Sequence, residues 1–366
     1  MQRAIYMDWN ATAPVRPEAA RAVLSALQDV GNPSSVHGFG RSARKVIETA
    51  RIALAHHVGA KVENVVFTSG GTEANALALG SRGARRLIVS AIEHDSVLKT
   101  AAGAAMIKVD RNGVVDLDHL RFLLTQDTTP ALVSLMLANN ETGVIQPVAE
   151  AARIAHAHGA LLHCDAAQAI GRIAVDLASL GADYLTVSGH KFGAPQGVGA
   201  LVTNGAPVSA LLLGGGQERS RRAGTENVPA IAGLGAAIAA IETQNVAALR
   251  DALEQRLLAW DPAITVFGRD VARLPNTLCF AASGKPAETL VMALDLAGIA
   301  VSAGSACSSG KVRPSHVVTA MGFDAEKAST ALRVSLGPTN TAADIDAFMT
   351  AWMRIQAPAT QNQTAA

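Results

Sequence analysis

Short apolar runs alternate with helix-like segments through the middle of the chain, and this alternation constrains the fold most. The runs ENVVFTSG, RLIVSAIEH, ALVSLMLANNE, ALLHCDAAQ and ADYLTVSGHK are each typical of a short buried strand. The helix-like segments TEANALALGSRG and PVAEAARIAHAHG lie between them. Because parallel strands need long crossover connections, the pattern predicts an α/β fold with a mainly parallel sheet covered by helices on both faces.

The last third of the chain has a different pattern. VAALRDALEQRLLAW is typical of a long amphipathic helix, and TLCFAA, LVMALDLAGIAVSAG and ALRVSLG then predict a mixed α+β unit. A chain of 366 residues is long enough for two domains that each bury a core. We therefore predict a large domain at 14–249, a small α+β domain made of 1–13 and 250–356, and a disordered tail at 357–366.

Charge and composition argue against several classes of function. The formal net charge is +1 without a basic run, and 4% of the residues are aromatic, which argues against nucleic acid and anionic membranes as partners. The N-terminus lacks an apolar run typical of a secretion signal. The nearly apolar stretch VPAIAGLGAAIAAI is too short to span a bilayer comfortably and predicts a buried helix. We expect a soluble cytoplasmic protein.

Three cysteines lie far apart and form no CxxC pair, which argues against a zinc ribbon and a disulfide framework. Cys164 and Cys279 lie in strand-like runs, so we interpret both as packing residues. Cys307 differs because it lies in VSAGSACSSGK, among small residues that favour neither helix nor strand. A thiol in such a segment is either incidental or a nucleophile that moves between two sites.

Three motifs follow predicted strands, where open α/β sheets build their binding sites. In FTSGGTEAN, a strand ends at glycines and Thr72 begins a helix, which indicates either a phosphate cradle or an ordinary capped turn. Asp165 ends the strand of LLHCDAAQ and could hold a cationic ring nitrogen or cap a helix. Lys191 in SGHKFGAPQGVG could form an imine in a confined pocket or lie on the surface.

The order of these motifs is more specific than any one of them. A phosphate turn, an acid and a lysine on consecutive strand–helix units describe a site for pyridoxal 5'-phosphate (PLP). The turn at Thr72 would hold the phosphate, Asp165 would keep the pyridine nitrogen protonated, and Lys191 would bond to the cofactor. The thiol of Cys307 would then be available for a second chemical step.

The chain resembles the cysteine desulfurases, which are PLP enzymes of fold-type I in the class V aminotransferase group, and especially the branch that serves iron–sulfur and nitrogenase cluster assembly. The resemblance extends over nearly the whole chain. It rests on the ordered motifs DWNATAPVRPEA, GNPSSVHGFGRSAR, FTSGGTEAN, EHDSV, NNETGVIQ, HCDAAQAIG, SGHKFGAPQGVG, RRAGTEN, SAGSACSSG and LRVSLGPTNT. It implies a seven-stranded, mainly parallel sheet in the large domain, a homodimer with active sites near the subunit interface, and conversion of L-cysteine to L-alanine.

The resemblance also implies a role for each site residue. Lys191 matches the lysine that bonds to PLP, and the substrate sulfur would pass to Cys307 as a persulfide and then to an acceptor or an iron–sulfur scaffold protein. Arg333 matches the clamp for the substrate carboxylate. The matched cofactor contacts are Gly71, Thr72, Ser188 and His190 at the phosphate, His94 over the ring, Asp165 at the ring nitrogen, Asn140 and Gln168 near the phenolic oxygen, and Thr225 at the phosphate of the other subunit.

Other interpretations stay open at this point. His94 could only cap a helix instead of moving protons, and Arg333 could form a structural ion pair. Cys307 is the candidate metal ligand, as a transient iron–sulfur ligand through its persulfide, whereas His56 and His57 are interpreted as helix-face residues. The chain could also be a PLP lyase or aminotransferase that acts on selenocysteine or a sulfinate, or a sulfur-relay protein without turnover.

Overall fold

The structure is a computed structural model that describes residues 4–242, 246–282, 284–304 and 314–357. Its helices are α1 (Pro17–Gln28), α2 (Gly38–His57), α3 (Gly71–Gly80), α4 (Asp95–Leu98), α5 (Leu117–Thr125), α6 (Val148–Ala157), α7 (Leu177–Leu180), α8 (Val228–Ala239), α9 (Ala247–Trp260), α10 (Ala287–Leu296), α11 (His316–Ala320), α12 (Ala325–Thr330) and α13 (Ala342–Gln356). Its short 3₁₀ helices are Val62–Asn64, Gly189–Lys191 and Gln217–Ser220.

The strands are β1 (Ile5–Tyr6), β2 (Val65–Thr68), β3 (Arg86–Ser90), β4 (Ala105–Ile107), β5 (Ala131–Met136), β6 (Leu161–Asp165), β7 (Tyr184–Ser188), β8 (Gly199–Thr203), β9 (Thr265–Val266), β10 (Thr277–Ala281), β11 (Ile299–Ala300), β12 (Ser302–Ala303) and β13 (Ala331–Ser335). Cys307 lies outside the described residues, and so does the predicted tail from residue 358 onward.

Seven strands form the large sheet in the order β2-β8-β7-β6-β5-β3-β4. The antiparallel member is β8, which lies between β2 and β7, while β7, β6, β5, β3 and β4 pair in parallel. The predicted α/β fold with a mainly parallel seven-stranded sheet is therefore confirmed. Because parallel strands end at one edge, the carboxyl ends of β5, β6 and β7 bring Met136, Asp165 and Ser188 together.

Both faces of the large sheet are apolar. Successive side chains of a strand point to opposite faces, and apolar residues occupy both. In β2, Val65 and Phe67 pack into one cluster, and Val66 packs into the cluster on the opposite face. Helix α8 belongs to the first cluster, so the stretch predicted as a buried helix is confirmed. A Cβ on its Gly235 would lie 2.7 Å from the Cβ of Ala50 in α2, so glycine permits close packing of these helices. No helix in the described ranges is long and apolar enough to cross a membrane.

A second, antiparallel sheet has the order β12-β13-β10-β9 and shares a separate core with α9, α10 and α13. Trp352 is fully buried there, against the rings of Phe280 and Phe348 at centroid distances of 5.4 and 6.0 Å. Burial of such a ring contributes about 2–3 kcal/mol of hydrophobic free energy. Because α8 belongs to the first core and α9 to the second, we retain the domain boundary near Leu249 as a proposal.

Residues 8–13, here called the crossing segment, connect the second sheet with the end of the large sheet. The Trp9 N–H donates to the Ser335 carbonyl at 3.2 Å, and the Asn10 side chain donates to Thr277 Oγ1 at 2.9 Å, both in the second sheet. At the other end of the segment, the Ala13 N–H donates to the His190 carbonyl at 2.8 Å. The crossing segment therefore holds the turn after β7 against the second sheet.

Candidate active site

A cavity of about 1240 Å³, here called the sheet-edge cavity, opens where the carboxyl ends of the large sheet meet the second sheet. Of the twelve residues predicted for the site, ten line it: Gly71, Thr72, His94, Asn140, Asp165, Gln168, Ser188, His190, Lys191 and Arg333. The structure therefore brings together side chains that are up to 262 positions apart in the chain. The other two, Cys307 and Thr225, lie outside the described residues and outside this cavity, respectively.

The turn before α3 forms one part of the cavity wall. Gly70 has a φ of +156°, a conformation that residues with a side chain rarely adopt. A Cβ on Gly71 would lie 3.1 Å from Ser188 Cβ, so glycine permits the close approach of this turn to the end of β7. Gly71 and Thr72 begin α3, where N–H groups lack partners inside the helix and the helix dipole is positive. These backbone donors suit an anion such as a phosphate.

Asp165 lies at the end of β6 and is 5% exposed. Its Oδ2 accepts a hydrogen bond from Asn75 Nδ2 at 2.8 Å, and its Oδ1 accepts one from the Ala167 N–H at 2.9 Å. Asn75 also donates to Ser96 Oγ at 2.8 Å. These contacts fix the direction of the carboxylate. Sequence reasoning missed Asn75, although it ends the same FTSGGTEAN motif that predicted the turn at Thr72.

Lys191 ends the 3₁₀ turn that follows β7. Its Nζ donates to the carbonyls of Asn10 at 2.7 Å and Ala11 at 3.0 Å, both in the crossing segment. Burial, followed by the positive charges of Arg333 and Arg172, lowers the pKa of Lys191 from 10.5 to about 7. A large fraction of this amine is therefore neutral near pH 7, as a nucleophile or a base requires.

The 3₁₀ turn Gly189–Lys191 is here called the lysine turn. His190 and Ser188 flank its first residue. His190 Nδ1 lies 3.2 Å from Thr12 Oγ1. Burial, followed by the charges of Lys191 and Arg172, lowers the pKa of His190 to about 4, so its ring is neutral at pH 7. Ser188 is 4% exposed and ends β7 beside Gly71. The two side chains thus add neutral hydrogen-bonding groups to the cavity, and Ser188 does so beside the start of α3.

His94 caps α4, as one interpretation predicted, and it also lines the cavity. Its Nδ1 accepts a hydrogen bond from the Ser96 N–H at 3.1 Å. Burial lowers the pKa of His94, while the charge of Asp165 opposes that effect. A neutral ring that accepts at Nδ1 carries its proton on Nε2. His94 can therefore cap the helix and still donate a proton from Nε2.

Arg333 lies on β13 and is 2% exposed. Its Nη2 donates to Asp8 Oδ1 at 2.7 Å, and its Nη1 donates to the Asn140 carbonyl at 2.9 Å. The ion pair of the alternative interpretation is therefore present. However, its buried Nε has no hydrogen-bond partner among the described residues. Arg333 thus lines the cavity, forms a structural ion pair and keeps one buried guanidinium donor without a partner among the described residues.

Two other residues that line the sheet-edge cavity also have unpaired polar atoms. Asn140 Oδ1 and Gln168 Oε1 are buried and lack a hydrogen-bond partner in the part of the chain that the structure describes. Buried polar atoms are almost always hydrogen-bonded, so unpaired ones at a cavity wall indicate a bound polar group. PLP has a phosphate for the donors of α3, a ring nitrogen for Asp165 and an aldehyde for Lys191. The residues of the cavity therefore fit PLP.

Two buried carboxyl groups beside the predicted residues were missed. Glu93 accepts hydrogen bonds from Ser90 Oγ at 2.7 Å and the Met136 N–H at 2.8 Å, and burial raises its pKa to about 8. Glu141 lines the cavity and accepts a hydrogen bond from Ser315 Oγ, and burial raises its pKa to about 7. Both lie within motifs of the sequence, EHDSV and NNETGVIQ, but complete burial could not be inferred from those letters.

Thr225 is exposed and lines a separate cavity of about 370 Å³ between α1, α2 and the start of α8. Leu27 and Phe39 line the same cavity and are 65% and 67% exposed. Within one chain, Thr225 therefore does not reach the sheet-edge cavity. The phosphate contact predicted for it requires a second subunit.

The other cysteines and histidines have structural positions. Cys164 and Cys279 are 0% exposed, and burial raises the pKa of both thiols, so their interpretation as packing residues is confirmed. His56 and His57 lie in the last turn of α2, as predicted. No group of three or more His, Cys, Asp or Glu side chains within the described ranges could hold a metal ion.

Comparisons with known proteins agree with this geometry. The family described as Aminotransferase class-V matches residues 5–348. A cysteine desulfurase of Cereibacter sphaeroides is 44% identical over 364 residues, which cover 94% of each chain. The cysteine desulfurase IscS of Dictyoglomus turgidum is 40% identical, over 94% of this chain and 93% of that relative.

A solved structure extends the comparison to three dimensions. The X-ray structure of a NifS-like protein from Rickettsia africae ESF-5 has a TM-score of 0.90 at 38% identity, and the match covers 96% of this chain and 99% of that chain. The predicted fold-type I architecture is therefore confirmed. On the evidence of its sequence and its fold, this chain belongs to the class V aminotransferase family, whose members are PLP enzymes.

Proposed function

We propose that this chain is a PLP-dependent cysteine desulfurase that converts L-cysteine to L-alanine and holds the sulfur on Cys307. The observation that carries the proposal is the position of Lys191, a buried amine with a pKa of about 7 that shares one cavity with Asp165 and Arg333. The similarity to relatives named cysteine desulfurase, at 44% and 40% identity over most of the chain, supports L-cysteine as the substrate.

Asp165 and the phosphate-binding wall would orient the cofactor. When bound, PLP supplies an aldehyde that takes up amines and a ring that withdraws electrons from the substrate carbon. Asp165 favours a proton on the ring nitrogen because a carboxylate stabilises a neighbouring cation. Asn75 and the Ala167 N–H keep both carboxylate oxygens in place. The proposed phosphate contacts are Gly71, Thr72, Ser188 and His190, and the proposed contacts to the phenolic oxygen are Asn140 and Gln168.

Lys191 and His94 would handle protons. Lys191 Nζ is the proposed base that would take the proton from the Cα atom of L-cysteine. Its lowered pKa supports this role because a neutral amine is present near pH 7. His94 lines the same cavity and, with its proton on Nε2, is the proposed donor for a later protonation.

Arg333 would bind the carboxylate of the substrate. Its unpaired Nε supports this role, because a guanidinium can donate hydrogen bonds to the oxygens of a carboxylate through Nε and Nη. The contact with Asp8 offsets part of the positive charge and holds the side chain in place. The substrate would therefore be bound by an arginine that is already ordered, which reduces the entropic cost of binding.

Cys307 is the proposed sulfur acceptor within the chain. Its thiolate sulfur forms a bond to the sulfur of the substrate, and the bond between that sulfur and Cβ breaks. The electron pair of the broken bond stays on the carbon fragment, which takes up a proton and leaves as alanine. The persulfide on Cys307 then passes its outer sulfur to an acceptor thiol or to an iron–sulfur scaffold protein, with Cys307 as a transient metal ligand during that transfer.

The active form is proposed to be a cytoplasmic homodimer. Thr225 would contact the phosphate in the other subunit, which is supported by its exposed position away from its own sheet-edge cavity. Mixed dimers of Thr225→Ala and Lys191→Ala subunits test this arrangement, because one of their two sites would contain both groups. Recovered activity in such dimers would support it, and inactivity in confirmed mixed dimers would contradict a phosphate contact from Thr225 across the subunit interface.

The test of the function is the yield of alanine and sulfide from L-cysteine. The wild type with PLP should produce equal amounts of both in the presence of a thiol reductant, and brief exposure to L-cysteine followed by alkylation should leave one additional sulfur on the Cys307 peptide. Cys307→Ser should bind PLP and L-cysteine but release no sulfide. Cys279→Ser is the matched control, since its buried thiol should play no part. Full sulfide release by Cys307→Ser would contradict the proposed acceptor.

A further inference from the structure

Arg172 joins three parts of the main chain behind the sheet-edge cavity. Its Nη1 donates to the Gln168 carbonyl at 2.7 Å, and its Nη2 donates to the carbonyls of Trp9 at 3.1 Å and Lys191 at 3.3 Å. Arg172 does not line the cavity itself. One guanidinium therefore connects the segment after β6, the crossing segment and the lysine turn from behind.

The same three parts of the chain meet again on the cavity side. Lys191 Nζ donates to the Asn10 carbonyl at 2.7 Å, and Gln168 Nε2 donates to that carbonyl at 2.9 Å. Asn10 follows directly after Trp9, whose carbonyl Arg172 binds. The backbone of the lysine and its Nζ are thus fixed to neighbouring residues of the crossing segment, one through Arg172 and the other directly.

We propose that Arg172 is a positioning residue that holds the crossing segment against the lysine turn, so that Lys191 Nζ is presented at a fixed place in the cavity. The proposal rests on the role of Lys191 in the proposed function. Arg172 acts through Lys191 and does not touch the reacting atoms. The planar fork of an arginine suits this task, because it can donate to several carbonyls in fixed directions and a lysine ammonium cannot reproduce that geometry.

Electrostatics gives Arg172 a second effect on the same amine. Its charge lowers the pKa of Lys191, after burial and the charge of Arg333. The charges of Asp8 and Asp165 oppose this effect. The neighbouring rings of His94 and His190 both have lowered pKa values, so they are neutral above pH 7. The charges that act on the pKa of Lys191 are therefore those of the arginines and carboxylates.

Arg16 provides a matched control for changes at Arg172. It is also partly buried beside the lysine turn and also donates to two backbone carbonyls, those of Phe192 at 2.9 Å and Ala240 at 2.8 Å. It makes no hydrogen bond to the Asn10 or Ala11 part of the crossing segment or to the Lys191 carbonyl. Arg16→Lys and Arg16→Met therefore report the general cost of replacing such an arginine.

The first measurement uses the cofactor-free protein and needs no activity. The pH dependence of Lys191 acylation, followed by mass spectrometry of its peptide, gives the pKa of the amine. Arg172→Met should raise that pKa toward 10.5, because a nearby positive charge is lost. Arg172→Lys should leave it near the wild-type value because the charge is kept. An unchanged pKa in Arg172→Met, with the fold intact by circular dichroism, would overturn the electrostatic part of the proposal.

The second measurement is the rate of PLP release. Arg172→Lys should lose PLP about tenfold faster than the wild type, as expected when a charge-assisted contact that fixes a group is lost, and Arg16→Lys should not. Retention at the wild-type rate in Arg172→Lys would overturn the positioning role, as would equal losses in both variants. If Arg172→Met does not fold, Arg172→Lys decides alone. A wild type that forms no bond between PLP and Lys191 would instead contradict the proposed function, while the Lys191 pKa would still test Arg172.

Discussion

The two walls of the sheet-edge cavity are built in different ways. The lysine wall, formed by Gly71, Asp165, Ser188 and Lys191, lies where strands of one sheet end. Its residues follow β2, β6 and β7, which run in the same direction, so the carboxyl ends of these strands place them at one edge of the sheet. The wall follows directly from the parallel sheet.

The arginine wall is formed by Glu141, His316 and Arg333 and is assembled from segments far apart in the sequence. The pair between Arg333 and Asp8 spans 325 positions, and the bond between Ser315 and Glu141 spans 174. Its charges are paired or neutralised, whereas the lysine wall offers donors and a carboxylate to a charged cofactor. The difference is consistent with the proposal that the lysine wall binds the cofactor and the arginine wall binds the substrate.

The largest effect is expected when the amine of the lysine wall is removed. Lys191→Ala should abolish turnover and the covalent bond to PLP, because the wall then has no amine to form it. Borohydride reduction followed by mass spectrometry should find PLP on the Lys191 peptide only in the wild type. Lys45→Ala, at an exposed lysine of α2, is the control and should behave as the wild type. Turnover by Lys191→Ala would contradict the assignment.

A smaller effect is expected when the lysine wall keeps its amine and loses its carboxylate. Asp165→Asn should slow deuterium exchange at Cα of L-cysteine by at least about tenfold, because one pKa unit at the ring nitrogen corresponds to about 1.4 kcal/mol. Asp183→Asn is a matched control, since Asp183 is 6% exposed and accepts from the Leu162 N–H in the same sheet but does not line the cavity. Exchange at the wild-type rate in Asp165→Asn would argue against the ring-nitrogen contact.

A change in the arginine wall should separate substrate binding from cofactor binding. Arg333→Ala should raise the KM for L-cysteine about tenfold or more, as for loss of a charge-assisted contact, with the PLP content unchanged. Arg273→Ala, which breaks a buried ion pair with Glu254 away from the cavity, controls for loss of stability. If Arg333→Ala loses PLP while KM stays constant, the division between the walls is wrong.

The smallest effect on turnover is expected from Glu141→Gln, which keeps a side chain of the same shape. Its clearest readout is stability against pH. Because the pKa of Glu141 is raised from 4.5 to about 7 on folding, the folded state binds more protons than the unfolded state between these values. The stabilisation is therefore complete below pH 4.5 and is lost as the pH rises through 7.

Urea unfolding across this range should show a steeper loss of stability in the wild type than in Glu141→Gln. Glu150→Gln is the control, because Glu150 is partly exposed and the Arg153 contact lowers its pKa instead. Parallel pH profiles for the wild type and Glu141→Gln would show that Glu141 is ionised in the folded protein over the whole range.

The same contrast explains what the sequence could predict. The parallel sheet and the lysine wall follow from strand-like runs and from the motifs at their ends, because both depend on local patterns. Asn75, Arg172 and Glu141 were missed because their roles depend on burial and on contacts with distant residues such as Asp165, Trp9 and Ser315. The sequence allowed the interpretation that Arg333 forms a structural ion pair, but only the fold identifies Asp8 as its partner.

The crossing segment has a consequence for the synthesis of the chain. Its Trp9 and Asn10 bind Ser335, which the ribosome adds 325 or more residues later. The large sheet can form while synthesis continues, but the residues made first must wait for β13, the last strand in the described part of the chain, before they reach their final partners. Contacts between such distant positions form slowly because a long loop must close. The carbonyls that accept hydrogen bonds from Lys191 Nζ are thus set in place at the end of folding. A ribosome-bound chain that stops before β13 is expected to contain the large sheet, but without the crossing segment in position beside Lys191.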